Sequence, residues 1–359
     1  MPYPDEFEGF MINEIGKHQD FKKQSFKPKR FSEHDVDIKI ECCGVCGSDV
    51  HTVTGGWGDA PTPLCVGHEI VGKAIKVGSQ VKGVKVGDRV GVGAQVWSCL
   101  KCPQCPAAYT YIDTYGSPYP KEADPDETIS QGGYSSHIRA HEFLVFPIPD
   151  AIPSHLAAPM LCAGLTVWEP LVRANIGPGQ EVAIVGLGGL GHFAVMFANA
   201  LGAEVTVISH SPSKKDDALK LGARHFTSSG EKGWAKPLAF KFDFVLSTAD
   251  VLGTGALQDY LSTLKVGCKF HSVGLPDEPI KELKPQQLTS NACYIGSSHI
   301  GSRKECLAML KFAAEKKLFP WVETIPISEK GCAEAVERVR KNKVHYRFTL
   351  VDYDKAFGG

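Results

Sequence analysis

Neither sign of charge dominates this chain: 39 lysines and arginines stand against 40 acidic residues, and no basic tract breaks the balance. An electrostatic basis for a nucleic-acid or membrane-surface partner is therefore missing, and neither is expected. A secretory leader is not expected either, because the opening MPYPDEFEGF is acidic and holds no apolar run. One stretch, Val182 to Ala203, has no Asp, Glu, Lys or Arg over 22 residues, enough to cross a bilayer. Five glycines, His192 and Asn199 interrupt it. It reads as a buried strand, a tight turn and a helix. The sequence also has no internal repeat and no low-complexity segment.

Cysteine, by contrast, is plentiful, with twelve in 359 residues. Cys99, Cys102 and Cys105 are separated by two residues each, and Cys46 lies in a glycine-rich run near a histidine. Without a secretory signal, such clustering favours metal over disulfides and a cytoplasmic setting. Cys268 and Cys293 fall in apolar strand-like runs and are expected to be small core residues.

The length exceeds a usual single core, so two domains are expected. The first 150 residues are rich in Gly, Pro and Val, with alternating runs at Val36–Glu41 and Glu69–Lys76 and turns at Gly78-Ser79 and Gly87-Asp88. That is the texture of an irregular β-domain. The texture changes after the Pro-rich connector FPIPDAIP. Strands are predicted at Val182–Val185, Glu204–Ile208, Phe242–Leu246 and Lys269–Val273, with helices at about Leu190–Leu201 and Lys214–Leu221. This alternation implies a doubly wound parallel sheet, an α/β fold. Arg303–Lys317 reads as an amphipathic helix with Leu307, Leu310 and Phe312 among its apolar positions, and Tyr346–Val351 returns to β-texture. The expected division is residues 1–155 with 300–359 as a discontinuous β-domain, and 156–299 as an inserted nucleotide domain.

Gly186, Gly188 and Gly191 fit G-x-G-x-x-G, with Leu187, Gly189 and Leu190 between them. The motif follows a predicted strand and opens a predicted helix, as dinucleotide binding requires. The glycines allow the turn, the approach of backbone to a pyrophosphate, and close helix–strand packing. Free N–H groups at the helix start then meet the phosphates. An NAD site usually has a carboxylate about 20 residues on. Here Ser209 stands 23 residues after Gly186, followed by His210, Lys214 and Lys215. A hydroxyl and cations suit the 2′-phosphate of NADP(H); the alternative is a solvated loop with incidental lysines. Asp216 and Asp217 fall inside the next helix and are expected to face water.

GVCGSDVH puts Cys46 beside Ser48, Asp49 and His51, and GHE follows at Gly67, His68 and Glu69. Cys162 comes 94 residues after His68. With GHEIVG, CLKCPQC, SQGGYSSH, LCAGLTVW, VGLGGLG and the closing YRFTLV, these motifs cover nearly the whole chain. It resembles the zinc-containing medium-chain alcohol dehydrogenases, and within them the cinnamyl-alcohol-dehydrogenase-like, NADP(H)-dependent branch.

That resemblance implies a Rossmann-type domain inserted in a GroES-like, mainly β catalytic domain. It implies a catalytic zinc on Cys46, His68 and Cys162, with a fourth position left open. Glu69 either approaches the metal or stays beside it, and Asp49 accepts a bond from His68. Such a metal acidifies a hydroxyl and polarises a carbonyl, while Ser48 and His51 relay the substrate proton. Thr166, Val273 and Ser297 resemble positions near the nicotinamide. Trp57 and Trp97 either line an apolar substrate pocket or pack in the core. The expected reaction joins NADP(H) to primary alcohols and aldehydes, aromatic such as cinnamaldehyde or medium-chain aliphatic, in a homodimer. Alternatives are a zinc polyol or sugar dehydrogenase and a non-catalytic NADP(H)-binding protein.

The pattern breaks at the family's second, structural zinc, whose spacing is C-x₂-C-x₂-C-x₇-C. Cys99, Cys102 and Cys105 match the first three places, but the fourth is Asp113. Either another ligand, Asp113 among the candidates, completes the site, or the site is weak or empty.

Overall fold

The computed structural model describes residues 4–102, 112–249, 254–276 and 283–358. Contacts divide the chain into two units, Met1–Cys162 with Ser302–Gly359, and Ala163–Gly301. In the first, β1 (Phe7–Met11) pairs with β2 (Lys22–Phe26). The long β3 (Asp35–Val45) runs into α1 (Gly47–Thr54). There follow β4 (Glu69–Val77), β5 (Arg89–Val92), the small pair β6 (Gln95–Trp97) and β7 (Ile112–Asp113), β8 (His137–His141), β9 (Val145–Pro147) and α2 (Ser154–Ala157).

The second unit begins with α3 (Ala163–Arg173), β10 (Glu181–Val185), α4 (Gly191–Ala200), β11 (Glu204–Ser209), α5 (Lys215–Lys220) and β12 (His225–Ser228). It ends with β13 (Phe242–Ser247), α6 (Thr254–Ser262), β14 (Leu264–Ser272) and β15 (Tyr294–Ser297). The chain then returns to the first unit through α7 (Arg303–Lys316), β16 (Val322–Pro326), α8 (Glu329–Arg340), β17 (Arg347–Val351) and α9 (Tyr353–Phe357).

The six strands of the second unit are all parallel, in the order β12-β11-β10-β13-β14-β15. Strand order reverses beside β10, which makes the carboxyl edge there the ligand-binding crevice of a doubly wound sheet. The uncharged stretch Val182–Ala203 becomes β10, the glycine turn and α4. Val182–Val185 and Gly191–Ala198 are buried, which explains the missing charge. Among the described residues no helix is long and apolar enough to cross a membrane.

The first unit is built on a sheet ordered β16-β17-β3-β4-β5-β9, with β8 also on β3. Its core takes Val36, Ile38 and Ile40 from β3 and Phe348 and Leu350 from β17. Register between β3 and β8 is fixed by charge as well as by apolar pattern. Asp37 lies opposite Arg139, whose Nε and Nη2 donate to its two carboxylate oxygens at 2.7 and 2.9 Å. Lys29, equally buried, bonds Asp35.

Two expectations fail locally. Cys293 is a core residue, but Cys268 is only half-buried at the rim of the same cluster. On α7 the buried stripe is Cys306, Met309, Leu310 and Ala313, so Leu307 faces outward. The 3.6-residue period starting from Cys306 excludes Leu307, one residue further round the helix.

Candidate metal and dinucleotide sites

Strand register assembles the metal candidates. Gly44 of β3 lies opposite Glu69 of β4, and Val45 opposite Phe348 of β17. Cys46, one residue past Val45, therefore meets His68 and Glu69 on one side and Arg347 on the other. Cys162 joins them from the segment after α2. Cys46, His68, Glu69 and Cys162 are all buried, with one ligand atom from each within 4.8 Å of every other. Cys46 Sγ lies 3.9 Å from Cys162 Sγ, and His68 Nε2 3.2 Å from the same sulfur.

Asp49 holds this set from behind. Its carboxylate accepts from the Cys46 N–H at 2.9 Å and the Gly67 N–H at 3.1 Å, and its Oδ1 lies 3.2 Å from His68 Nδ1. The imidazole is thereby turned so that Nε2 faces the sulfurs, the orientation a metal-binding histidine needs. Cys46 is the N-cap of α1, so helix start and ligand share one anchor. The Tyr115 ring packs 5.7 Å from that of His68.

The donor set fits zinc: two sulfurs, an imidazole and a carboxylate, all out of water. Glu69 bonds Arg347 through one oxygen, while its buried Oε2 has no hydrogen-bond partner. Burial pushes the Glu69 carboxyl up to about 8, against the pull of Arg347. The Cys162 thiol, bonded to Cys46, holds Cys46 well below the usual thiol range, with His68 adding to the effect. Cys162 itself is driven well above it by the same pairing and by burial.

Ser48 Oγ is 3.6 Å from Cys46 Sγ, and His51 follows three residues on along α1. Trp57 is half-exposed and stacks on His51, whereas Trp97 packs against the core of the first unit. Cys99, Cys102 and Asp113 are described, Asp113 pairing with Gln95 on the exposed β7, but Cys105 lies outside the described residues.

In the second unit the glycine motif caps β10. Gly186 has φ 86° and its N–H bonds Ile208 O at 2.9 Å. A Cβ at Gly191 would sit 2.1 Å from Gly186 O, while one at Gly188 would meet nothing within 4 Å, leaving room there for a ligand. His192, buried, has Nδ1 2.9 Å from Gly189 O and braces the turn. Lys214 Nζ donates to Leu187 O at 2.6 Å, which brings an ammonium to the same turn. Burial lowers its pKa, with Asp217 opposing. Ser209 ends β11, His210 next to it is exposed, and Asp216 faces water while Asp217 is half-buried. Ser247, Ser272 and Ser297 align across β13, β14 and β15, so Val273 and Ser297 stand at the carboxyl edge. Thr166 is buried on α3.

Residue patterns did not single out Arg347 or His192. Arg347 had a weak signal, a cation at the head of the otherwise apolar RFTLV, but its partner lies 278 residues away. The Trp57–His51 stack depends on a turn that residue types alone do not specify.

Two families match the chain: the alcohol dehydrogenase GroES-like domain over residues 32–150, and the zinc-binding dehydrogenases over residues 189–315. The chain belongs to the zinc-binding alcohol dehydrogenase family and is an oxidoreductase with a GroES-like domain and a Rossmann-type domain. It is 47% identical to NADP-dependent alcohol dehydrogenase 6 of Saccharomyces cerevisiae over 99% of both chains. A cinnamyl alcohol dehydrogenase from Sorghum bicolor superposes with TM-score 0.89 at 34% identity, covering 96% of this chain and 97% of that one. The Helicobacter pylori enzyme complexed with NADP(H) gives 0.86 at 32%, covering 96% and 98%.

Proposed function

We propose that the chain is an NADP(H)-dependent alcohol dehydrogenase and aldehyde reductase, acting on aromatic substrates such as cinnamaldehyde or on medium-chain aliphatic ones. The observation that carries this reading is the buried convergence of Cys46, His68, Glu69 and Cys162, oriented by Asp49. Cys46, His68 and Cys162 would hold a zinc ion, which would supply Lewis acidity at the substrate oxygen, with NADP(H) as the hydride carrier. Glu69, held by Arg347, offers a further oxygen to the metal. Ser48 bonds the substrate oxygen, and His51, one turn away on the same face of α1, carries its proton onward.

The glycine turn Gly186–Gly191 holds the pyrophosphate, with Leu187, Gly189 and Leu190 contributing backbone. Ser209, His210 and Lys214 hold the 2′-phosphate, and Lys214 is already fixed on the turn by its bond to Leu187. Thr166, Val273 and Ser297 face the nicotinamide. In this reading the first unit, Met1–Cys162 with Ser302–Gly359, carries the catalytic site, and the second, Ala163–Gly301, the dinucleotide. Cys99, Cys102 and Cys105 form a second metal lobe that is weak without a fourth cysteine. The thiolate ligands suit the reducing cytoplasm. Two copies pair through β15, which among the described residues has a sheet neighbour on one side only and exposes Tyr294 at 63%.

The test is absorbance of NADPH during incubation with cinnamaldehyde, benzaldehyde, hexanal and a ketose. The aldehydes are turned over, NADPH outperforms NADH, and Cys46→Ala loses activity. Preference for the ketose would point instead to a polyol dehydrogenase. Full turnover by Cys46→Ala would sink the zinc mechanism, and no turnover of any substrate would favour a binding protein.

A further inference from the structure

The imidazole of His51 and the indole of Trp57 lie face to face, with ring centroids 4.7 Å apart and planes within 5°. A reversal of the backbone at the end of α1 builds this contact. Gly55, at φ 80°, stops the helix, and Gly58, at φ 98°, completes the turn back. Side chains other than glycine resist such angles. Gly56 N–H bonds His51 O at 2.8 Å, Gly58 N–H bonds Gly55 O at 3.1 Å, and Thr54 Oγ1 donates to His51 O at 3.4 Å. The turn therefore grips the histidine's own backbone while laying the indole on its ring. Trp57 remains 46% exposed, so filling the core is not its role.

From this we infer that Trp57 is a positioning residue for His51, an inference that rests on the proton-relay reading of His51. A flat stack restricts rotation of the imidazole about its last side-chain bond and keeps its ring nitrogens at fixed points on α1. In alcohol oxidation, Ser48 would accept the substrate's hydroxyl proton and give up its own towards His51, which takes one proton and releases one to water. Bound NADP⁺ would accept the hydride and become NADPH, and in aldehyde reduction each transfer would reverse. Trp57 exchanges no proton and touches no reacting atom; it keeps the acceptor where the proton arrives.

Four variants of the zinc-loaded enzyme test this: Trp57→Ala, Trp57→Phe, His51→Gln, and the His51→Gln/Trp57→Ala pair, each checked for zinc content and for its circular dichroism spectrum. His51→Gln lowers kcat by roughly 100-fold, as loss of a proton-transfer group does. Trp57→Ala lowers kcat by about 10-fold, a cost of misplacement rather than loss, and leaves the aldehyde KM unchanged. Trp57→Phe, which keeps a stacking face, restores most of the rate. The double variant is no slower than His51→Gln alone, because a mispositioned relay matters only while the relay exists. A raised KM with intact kcat in Trp57→Ala makes the indole a pocket wall and overturns the inference. So does a full additive loss in the double variant. Normal kcat in His51→Gln instead removes the relay reading, and the inference with it.

Discussion

Asp49 is where single-atom geometry decides the most. Its two oxygens meet the Cys46 N–H, the Gly67 N–H and His68 Nδ1, so one carboxylate fixes the backbone at both ligand-bearing segments and the tilt of the imidazole. Asp49→Asn keeps the shape but replaces one acceptor by an N–H₂ donor, which must then face one of these three donors. Zinc affinity is expected to fall by roughly 10- to 100-fold, the usual cost of losing a ligand's hydrogen-bonded support. A competition titration with a zinc-binding dye reads this directly, and unchanged affinity would count against the orienting role. Asp49 came forward in the sequence as a partner of His68 through the family resemblance of the run GVCGSDVH, where it sits three residues from Cys46. Cys46, His68 and Cys162 came forward only through the family resemblance carried by GVCGSDVH, GHEIVG and LCAGLTVW, since a 94-residue gap between His68 and Cys162 specifies no ligand set by itself. Arg347 did not, because its pairing with Glu69 exists only once β17 has docked on β3 and β3 on β4.

Elements tell a similar story. Strands and helices of the second unit were readable because both faces of a parallel sheet are covered, which leaves short apolar runs with sharp ends. The first unit was readable mainly as texture: β3 and β17 are buried along most of their length rather than alternating, and their pairing order follows from contacts far apart in sequence. β8 shows what such pairing does to a titratable group. Docked on β3, it half-buries His137 against Phe7, with ring centroids 5.1 Å apart and Nδ1 2.9 Å from Ser136 Oγ. Burial, helped by Lys39, pulls the His137 pKa down to about 4. In the unfolded chain an ordinary histidine titrates near 6.5. The folded state thus binds fewer protons between these values, and stability falls as pH drops through that window. Above about pH 6.5 His137 is neutral in both states and costs nothing. Thermal melts of the wild type and His137→Gln from pH 7.5 to pH 4 should therefore diverge, with the variant declining less steeply below pH 6.5. Parallel curves would show that His137 titrates normally in the folded protein.

At the scale of the whole molecule, the two cysteine clusters have opposite standing. Cys46 and Cys162, with His68 and Glu69, are buried inside the first unit and tied to β3, α1, β4 and β17. Cys99 and Cys102 are only half-buried, and the place of a fourth cysteine is taken by Asp113, exposed on the two-residue β7. A metal that binds only the folded state stabilises it in proportion to its affinity, about 4 kcal/mol when its concentration is 1,000 times Kd. A buried thiolate–imidazole set reaches that regime, whereas a three-thiol lobe with a solvated carboxylate holds metal less tightly. Extensive dialysis should therefore leave one zinc per chain by atomic absorption. Stripping that zinc with a strong chelator should lower Tm by about 10 °C, since each kcal/mol is worth a few degrees for a unit of this size. Cys99→Ser should change neither the retained zinc nor kcat, while Cys162→Ser should abolish both. Two zincs surviving dialysis, one of them lost in Cys99→Ser, would mean that Asp113 or another donor completes the lobe after all.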